Sequence, residues 1–258
     1  MKDTQYQLSV IIFTWNSQQE ISNCLVSVRA STRNIKTEII VVDNNSTDLT
    51  VRTIRSAFST VHILQQKNNL GFGQGNNIGL LKAKGRYILL LNPDTVVNPY
   101  AMHQMIYFLD THPRVGFVGP EQFNDTDRMI FMASRLSPVG FTEYVIEKIF
   151  HFVTGKTSVL FPKPHKTYML NAGCLLTRNN ILSTRQWFDP DCFIYGEENY
   201  LFKRVHEQNW EVYFLRNCSI IHLREKSIMQ TNSKMRFAKD SAKVYLKKSS
   251  VGKLLFSS

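Results

Sequence analysis

The residues with the clearest chemical potential stand at the end of an apolar run, where Tyr87 to Leu91 is followed at once by Asn92-Pro93-Asp94. A carboxylate on a proline-stiffened turn, at the carboxyl end of a strand, can hold a divalent cation against a phosphorylated ligand. Asn, Pro and Asp are also common turn residues, so an ordinary strand-to-loop turn explains the same residues. The metal interpretation therefore needs support from the rest of the chain.

Two further polar clusters follow predicted strands. Thr14-Trp15-Asn16 comes after the first apolar run, and the segment 43–48 comes after the second. Either could supply a helix cap, but three such clusters at strand ends favour a binding crevice along one edge of a sheet. The glycine-rich segment 68–77 could present backbone N–H groups to a phosphate, although it matches neither the dinucleotide nor the Walker pattern.

The elements that must position these clusters alternate along the first hundred residues. The predicted strands are 8–13, 38–42, 61–64 and 87–91, and the predicted helices are 21–30, 50–58 and 75–83. Such alternation predicts an α/β fold with a Rossmann-like, mostly parallel sheet and helices on both faces. Beyond Pro99 the pattern predicts a helix over 101–110, a strand over 115–118 and an irregular, aromatic-rich insertion over 123–167. Acceptor recognition and a simple packing cover both explain that insertion.

Composition narrows the class of protein. With 258 residues and 43% hydrophobic content, the chain can bury one substantial core. Its cysteines are scattered without a C-x-x-C pair, which indicates reduced core thiols rather than a disulfide framework. Its apolar stretches are too short for a signal-peptide core or a membrane span. We therefore expect a cytoplasmic protein, soluble or at most peripheral on a membrane.

The net charge of +11 is concentrated near the end of the sequence. From Arg224 onward, nine basic residues minus two acids account for +7 of it. Residues 232–248 have helical period, so 224–258 is predicted to be a basic amphipathic extension. It could contact an anionic membrane surface or pack as a solvated helix against the domain. Nucleic-acid binding is not expected, because no recognition motif accompanies the charge.

The ordered motifs together resemble those of the family 2 glycosyltransferases, which have the GT-A fold, and most closely the rhamnosyltransferase-like branch of bacterial surface-polysaccharide assembly. The supporting segments are 10–16, 41–48, 69–77, 91–94, 172–174, 195–198 and His222. The resemblance implies a GT-A catalytic domain over 1–223, with a nucleotide-binding half at 1–98 and an acceptor half at 99–223.

The resemblance also implies a reaction. A sugar would move from a nucleotide-sugar donor to a hydroxyl of a glycan or lipid-linked saccharide, with inversion and with Mg²⁺ or Mn²⁺. The implied donor is dTDP-rhamnose, with UDP-sugars left open, and the implied product is a cell-surface polysaccharide such as O-antigen or capsule. A processive membrane synthase is disfavoured, because the Q-x-x-R-W motif is absent.

Positions in the family motifs imply roles for individual residues. Asp43 matches the carboxylate that contacts the base or ribose, and Asn92-Pro93-Asp94 stands where the family has its D-x-D motif. Asp94 would then be the main metal ligand, with Asn92 nearer the ribose or phosphate. The other implied substrate-binding residues are Thr14, Asn16, Asn45, Gly71, Asn76, Gly173, Glu197 and Arg224. Gly173 would be the small residue beside the sugars, and an ordinary turn glycine is its alternative.

His222 matches a histidine that can supply another metal ligand, although a structural histidine at a strand end is an equal interpretation. The family's His-His-Gly continuation is replaced by His-Leu-Arg, and Arg224 could instead neutralise the diphosphate.

Glu198 occupies the position of the family's catalytic base, which would take the proton of the acceptor hydroxyl. Family members usually carry Glu-Asp here, whereas this chain has Glu197-Glu198, and Tyr200 replaces a later Asp. An acidic first helical turn also explains the pair. A catalytically weak or inactive sugar-nucleotide-binding relative is therefore the alternative function.

Overall fold

The computed structural model describes residues 5–123, 129–130, 164–194, 196–223, 240 and 244. Its helices are α1 (Ile21–Ser31), α2 (Thr50–Ala57), α3 (Phe72–Lys82), α4 (Ala101–Thr111) and α5 (Glu197–Glu207). Its strands are β1 (Tyr6–Thr14), β2 (Thr37–Asp43), β3 (His62–Gln65), β4 (Gly85–Leu91), β5 (Thr95–Val97), β6 (Val115–Phe123), β7 (Met129–Ile130), β8 (His165–Thr167), β9 (Cys174–Arg178) and β10 (Glu211–His222). Most of the predicted insertion, and nearly all of the predicted basic extension, lie outside the described residues.

The described strands form one sheet in the order β3-β2-β1-β4-β9-β6-β10-β5, with β7 beside β6 and β8 beside β10. The first four strands of this order pair in parallel, which confirms the α/β architecture predicted from the alternating pattern. Strand β9 runs antiparallel between β4 and β6, and β5 runs antiparallel to β10. The second half of the sheet is therefore mixed.

Helices cover both faces of the sheet, because successive residues of a strand point to opposite sides. Val10 and Ile12 belong to the core under α1, α2 and α4, whereas Ile11 belongs to the core under α3 and α5. All three side chains are fully buried. Strand β1 is thus shielded from water on both faces, as expected for a central parallel strand.

Strand register brings the polar clusters to one edge of the sheet. Thr14 pairs with Asp43, and Thr95 pairs with His222. Leu91, the last residue of β4, pairs with Cys174, the first residue of β9. Three groups of residues therefore lie close together at one edge of the sheet: those that follow β4, those that precede β9, and His222 at the end of β10.

The four cysteines are buried and free, which confirms their prediction as core thiols. Burial raises the pKa of the Cys24 and Cys218 thiols to about 12, so both stay protonated and unreactive. Among the described residues, no helix combines the length and the apolar character that crossing a bilayer requires.

Candidate functional site

The centre of the candidate site is the contact between Asp94 and His222. Asp94 lies on the turn between β4 and β5, and His222 ends β10, which pairs with β5. Asp94 Oδ1 lies 3.1 Å from His222 Nε2, and the two side chains are 17% and 4% exposed. Among the described residues, this carboxylate oxygen has no hydrogen-bond partner. The backbone supports the pair, because the Leu223 N–H donates to the Asp94 carbonyl at 2.8 Å.

The other ring nitrogen of His222 faces a residue that the sequence patterns did not indicate. His222 Nδ1 lies 2.9 Å from Gln122 Oε1, and Gln122 is 1% exposed. A carboxamide oxygen only accepts, so Nδ1 carries the hydrogen and donates it. Nε2 then carries the lone pair, and it lies 3.1 Å from Asp94 Oδ1 and 3.4 Å from Asn92 Nδ2, the residues predicted to lie at the metal and the phosphate.

Asn92 and Gly173 complete this cluster. Asn92 Nδ2 lies 3.4 Å from His222 Nε2, and the Asn92 N–H donates to the Gly173 carbonyl at 3.0 Å. A Cβ at Gly173 would stand 2.8 Å from His222 Cε1, too close for two carbon atoms. A side chain at position 173 would therefore displace the imidazole, which gives this glycine a packing role. Its predicted place beside the sugars remains a prediction.

A divalent cation fits the spacing of Asp94 and His222. Two ligands at right angles on an ion with bonds of about 2.1 Å lie about 3 Å apart, and the observed separation is 3.1 Å. Within the described ranges, no group of three or more His, Cys, Asp or Glu residues could hold an ion. The remaining ligands would come from a bound phosphate group and water, which Mg²⁺ commonly uses.

Thr14 and Asp43 form a second part of the same edge. Both are fully buried, and Thr14 Oγ1 and Asp43 Oδ1 have no hydrogen-bond partner in the part of the chain that the structure describes. The other carboxylate oxygen of Asp43 accepts the Ser46 N–H at 3.3 Å. Unpaired buried oxygens can mark the site of a ligand. Neither atom reaches solvent, so a nucleotide base could approach only after neighbouring side chains moved.

The loops above Thr14 and Asp43 are tied together through Asn16. Its backbone lies in the left-handed region, with φ 49°, which asparagine tolerates. Its N–H donates to Ser46 Oγ at 2.9 Å, and its Oδ1 accepts the Thr47 N–H at 2.8 Å. Asn45, in the loop that follows β2, is exposed and has φ 67°. The predicted nucleotide end thus has a rim fixed by hydrogen bonds.

The glycine-rich segment 68–77 contacts the part of the chain that precedes α5, at Phe193. Gly71 has φ 81°, and a Cβ there would collide with the Phe193 carbonyl oxygen. The Phe72 N–H donates to that oxygen at 2.9 Å, and the Gly71 N–H donates to Asn69 Oδ1 at 3.0 Å. These two N–H groups are engaged within the protein rather than directed at a phosphate. The roles predicted for Gly71 and Asn76 in substrate binding remain predictions.

Side-chain amides on α3 extend this connection. Asn77 Oδ1 accepts the N–H groups of Trp187 and Phe188 at 2.9 and 3.0 Å, and its Nδ2 donates to the Phe188 carbonyl. Asn76 is 1% exposed, and its Nδ2 donates to the Phe72 carbonyl within the helix. Asn77 therefore fixes the segment before the acidic pair, a role that sequence patterns did not reveal.

The acidic pair begins α5, after Gly196 with φ 91°. Glu198 is half-buried, and its Oε1 accepts the Ala172 N–H at 3.4 Å. Ala172 is followed by Gly173, which packs against the imidazole of His222. Glu198, the predicted base, and His222, a predicted metal ligand, thus contact neighbouring residues of one short segment, Ala172 and Gly173. Arg224 and Tyr195 lie outside the described residues.

Glu197 differs from its neighbour. It is 4% exposed, and its Oε2 has no hydrogen-bond partner among the described residues. Burial, and then the nearby Glu198 carboxylate, raise the pKa of Glu197 well above its usual range. The two carboxyl groups therefore differ in their environment: that of Glu197 favours the neutral acid, whereas Glu198 is only half-buried.

Comparison with known proteins gives this arrangement a context. Residues 9–172 match the family described as Glycosyl transferase family 2. The chain is 22% identical over 238 residues to an N-acetylglucosaminyl-diphospho-decaprenol L-rhamnosyltransferase of Mycobacterium tuberculosis, covering 83% of this chain and 75% of the relative. It is 24% identical over 253 residues to the glycosyltransferase GlyG of Streptococcus pneumoniae, covering 93% and 79%.

Solved structures agree on the fold. TarS of S. aureus, residues 1–349 in complex with UDP, superposes with a TM-score of 0.61 at 16% identity, covering 95% of this chain and 66% of that one. The mannosyltransferase PcManGT of Pyrobaculum calidifontis, in complex with GDP-Man and Mn²⁺, gives 0.61 at 15% identity, covering 95% and 63%. The fold is therefore GT-A, as predicted. The chain spans somewhat less than two thirds of these two solved chains.

Proposed function

Because the chain belongs to glycosyltransferase family 2, we propose that it is an inverting, metal-dependent enzyme of bacterial cell-surface polysaccharide synthesis. It transfers a sugar from a nucleotide-sugar donor to a hydroxyl of a glycan or lipid-linked acceptor. The observation that carries the metal dependence is the 3.1 Å approach of Asp94 Oδ1 to His222 Nε2 at the carboxyl edge of the sheet. The carboxylate oxygen is buried there and has no hydrogen-bond partner in the described part of the chain.

The donor occupies the edge between Thr14 and Asn92. Asp43 and Thr14 receive hydrogen bonds from the base or ribose, through the buried oxygens that lack partners among the described residues. Asn92 contacts the ribose or phosphate. The donor is dTDP-rhamnose or a UDP-sugar. The rhamnosyltransferase relative supports the first, and the neighbour in complex with UDP supports the second.

Asp94 and His222 hold Mg²⁺ or Mn²⁺ together with oxygens of the donor diphosphate, and the neighbour in complex with Mn²⁺ supports a metal ion in this fold. When bound, the cation stabilises the negative charge of the leaving diphosphate. Asp94 contributes a negative charge and His222 a neutral ring nitrogen, the hard oxygen and imidazole ligands that Mn²⁺ accepts.

Glu198 is the general base. Its carboxylate takes the proton of the acceptor hydroxyl as that oxygen bonds to the anomeric carbon, and the bond to the diphosphate breaks with its electron pair on the leaving oxygen. A single displacement of this kind inverts the configuration at the anomeric carbon. Two contacts of the segment 172–173 support this role, because the Ala172 N–H donates to Glu198 Oε1 and the next residue, Gly173, packs against the imidazole of His222.

The acceptor is a saccharide of a surface polysaccharide, such as O-antigen or capsule, carried on a glycan or a lipid. The relative named for its action on a diphospho-decaprenol saccharide supports a lipid-linked acceptor. The enzyme works in the cytoplasm, and the basic extension 224–258 brings it to the anionic face of the membrane. This last role rests on the sequence of the extension.

The experiment that tests the proposal measures donor hydrolysis and transfer across UDP-, dTDP- and GDP-sugars, first with Mn²⁺ or Mg²⁺ and then with EDTA. We expect one donor to turn over, and only with metal. Turnover that persists in EDTA would contradict metal dependence, and the absence of binding to any donor would overturn the transferase proposal.

A further inference from the structure

The strongest unexplained feature of the site is the buried amide of Gln122, which lies behind His222. Gln122 lies on β6, where it pairs with Ile220 of β10. Ile220 and His222 are two residues apart on one strand, so their side chains share a face. Gln122 can therefore reach the imidazole across one strand pair, and its Oε1 lies 2.9 Å from Nδ1. Both residues are almost completely buried.

The side-chain amides of Gln122 and Asn92 contact the two ring nitrogens of His222, one through its oxygen and the other through its nitrogen. Gln122 offers an oxygen to Nδ1 at 2.9 Å, and Asn92 offers a nitrogen to Nε2 at 3.4 Å. The amide oxygen of Gln122 accepts a hydrogen bond, so Nδ1 must carry a hydrogen. The amide nitrogen of Asn92 donates one, so Nε2 must offer a lone pair. Both contacts favour the same tautomer of His222.

Asp94 lies on the Nε2 side of the ring, with its Oδ1 3.1 Å from that nitrogen. The contact does not have the geometry of a hydrogen bond, and Asp94 Oδ1 has no hydrogen-bond partner among the described residues. With the hydrogen on Nδ1, as the two amides favour, Nε2 and Oδ1 are both electron-pair donors, and their approach is favourable when a cation lies between them.

Gly173 provides the room that this arrangement needs. A Cβ at position 173 would lie 3.0 Å from His222 Nδ1 and 2.8 Å from Cε1. Any side chain there would push the ring away from its place between Gln122 and Asp94. The ring is thus positioned by its close approach to Gly173 and by the hydrogen bond from Nδ1 to Gln122.

From these contacts we propose that Gln122 is a positioning residue, which holds His222 in the Nδ1–H tautomer and directs Nε2 toward Asp94. The use of Nε2 as a metal ligand rests on the proposed function, but the tautomer itself does not. An outer hydrogen bond of this kind commonly sets the orientation of a metal-binding histidine, and its loss typically weakens metal affinity about 10- to 100-fold.

The test is ¹⁵N NMR of the His222 ring in the full chain without metal, at about pH 9, where an imidazole is usually neutral. Comparison with His222→Asn assigns the signals. We expect wild type to show the Nδ1–H form, Gln122→Met to shift the tautomer ratio about tenfold toward Nε2–H, and Gln122→Glu to retain Nδ1–H. Gln104→Met makes the same exchange on an exposed face of α4 and should leave the ratio unchanged.

An Nε2–H signal in the wild-type protein would overturn the proposal, even if every Gln122 variant failed to fold. An unchanged ratio in Gln122→Met would overturn it as well. A Mn²⁺ titration of the wild type with UDP or dTDP separates this inference from the proposed function. Lack of Mn²⁺ binding would refute the metal site and leave the tautomer result standing.

Discussion

Thr14 and Asp43 are register partners at the ends of β1 and β2, and each carries a buried oxygen without a hydrogen-bond partner among the described residues. Leaving such a group unpaired costs about 1–3 kcal/mol. Two unpaired oxygens at paired register positions, at the carboxyl edge of a GT-A sheet, support the proposed donor contacts, which would form once the side chains that now bury both atoms move aside. The donor base or ribose would supply the missing hydrogen bonds.

Asp43→Ala should therefore weaken nucleotide binding about 10- to 100-fold, the effect of losing one hydrogen bond to a charged group. Isothermal titration with UDP, dTDP and GDP measures this. Asp110→Ala is the matched control, because Asp110 pairs with Arg86 near the start of β4, at the opposite edge of the sheet. Equal nucleotide affinity in wild type and Asp43→Ala would exclude the carboxylate from the donor site.

Glu198→Gln should reduce kcat about 10²- to 10⁴-fold with donor affinity unchanged, because the amide cannot accept the hydroxyl proton. Glu198→Asp should recover part of the rate, since the carboxylate is restored with a shorter reach. Glu207→Gln, at the exposed end of the same helix, serves as the control.

The same Glu198 experiment decides between the proposed enzyme and its alternative. A weak or inactive sugar-nucleotide-binding relative would bind the donor equally well before and after the substitution. Its turnover would be negligible in wild type and would not fall further in Glu198→Gln.

Glu197→Gln should stabilise the protein, and the gain should grow as the pH rises. The folded-state pKa of Glu197 lies above its unfolded value, because burial and Glu198 both disfavour the charge. The native state therefore binds this proton more tightly, and its contribution to stability is lost as pH rises through the folded pKa. Glutamine cannot ionise and avoids the loss.

Thermal unfolding of wild type and Glu197→Gln between about pH 4 and pH 9 checks this expectation. The two midpoints should be similar near pH 4 and separate toward pH 9, by about 2–4 °C for each kcal/mol. Glu211→Gln, in a partly exposed pair with Lys166, is the control. A variant less stable than wild type throughout this range would show that Glu197 is stabilised as a carboxylate.

Gly71→Ala should destabilise the fold and disturb the start of α5. The backbone at Gly71 has φ 81°, and a Cβ would collide with the Phe193 carbonyl. We expect a lower unfolding midpoint, corresponding to at least about 1–3 kcal/mol of strain. Gly119→Ala is the comparison, because the added carbon would meet only the end of the Leu170 side chain, at 3.1 Å. A midpoint no lower for Gly71→Ala than for Gly119→Ala would contradict this account.

The elements between residues 6 and 91 were predictable because local pattern and tertiary environment agree there, whereas the short strand β5 (Thr95–Val97) was missed. The three inner strands of the parallel half, β1, β2 and β4, are buried on both faces, so each appears as a nearly continuous apolar run such as Val10 to Phe13, whereas the edge strand β3 is partly exposed. Each helix begins near a polar cluster, and Asp48 illustrates why, since its Oδ1 accepts the Thr50 N–H at the start of α2. The meeting of the polar clusters at the ends of these strands was therefore predictable, while the binding of a ligand at this edge remains a prediction.

The role of Gln122 could not be predicted in this way. Strand β6 extends to Phe123, but Gly119 and Pro120 interrupt its pattern, so the predicted strand stops at Val118. Its continuation depends on pairing with β10 across an irregularity between Leu215 and Ser219. No local signal in the sequence specifies that non-local register.

The pairing of Asp94 with His222 is non-local too. It requires β5 to run antiparallel beside β10 with Thr95 opposite His222. Resemblance to known motifs suggested both residues as metal ligands, but spacing along the chain could not bring them together. The hydrogen bonds of Asn77, which organise the approach to the acidic pair, were missed for the same reason.

The most direct test of the central claim is Mn²⁺ binding in the presence of UDP or dTDP, compared between wild type and Asp94→Ala and measured by electron paramagnetic resonance. If Asp94 and His222 hold the cation of the donor, Asp94→Ala should lose at least about tenfold in Mn²⁺ affinity, equivalent to about 1.4 kcal/mol. Asp110→Ala should retain the wild-type affinity. Equal Mn²⁺ affinity in Asp94→Ala and wild type would contradict the account.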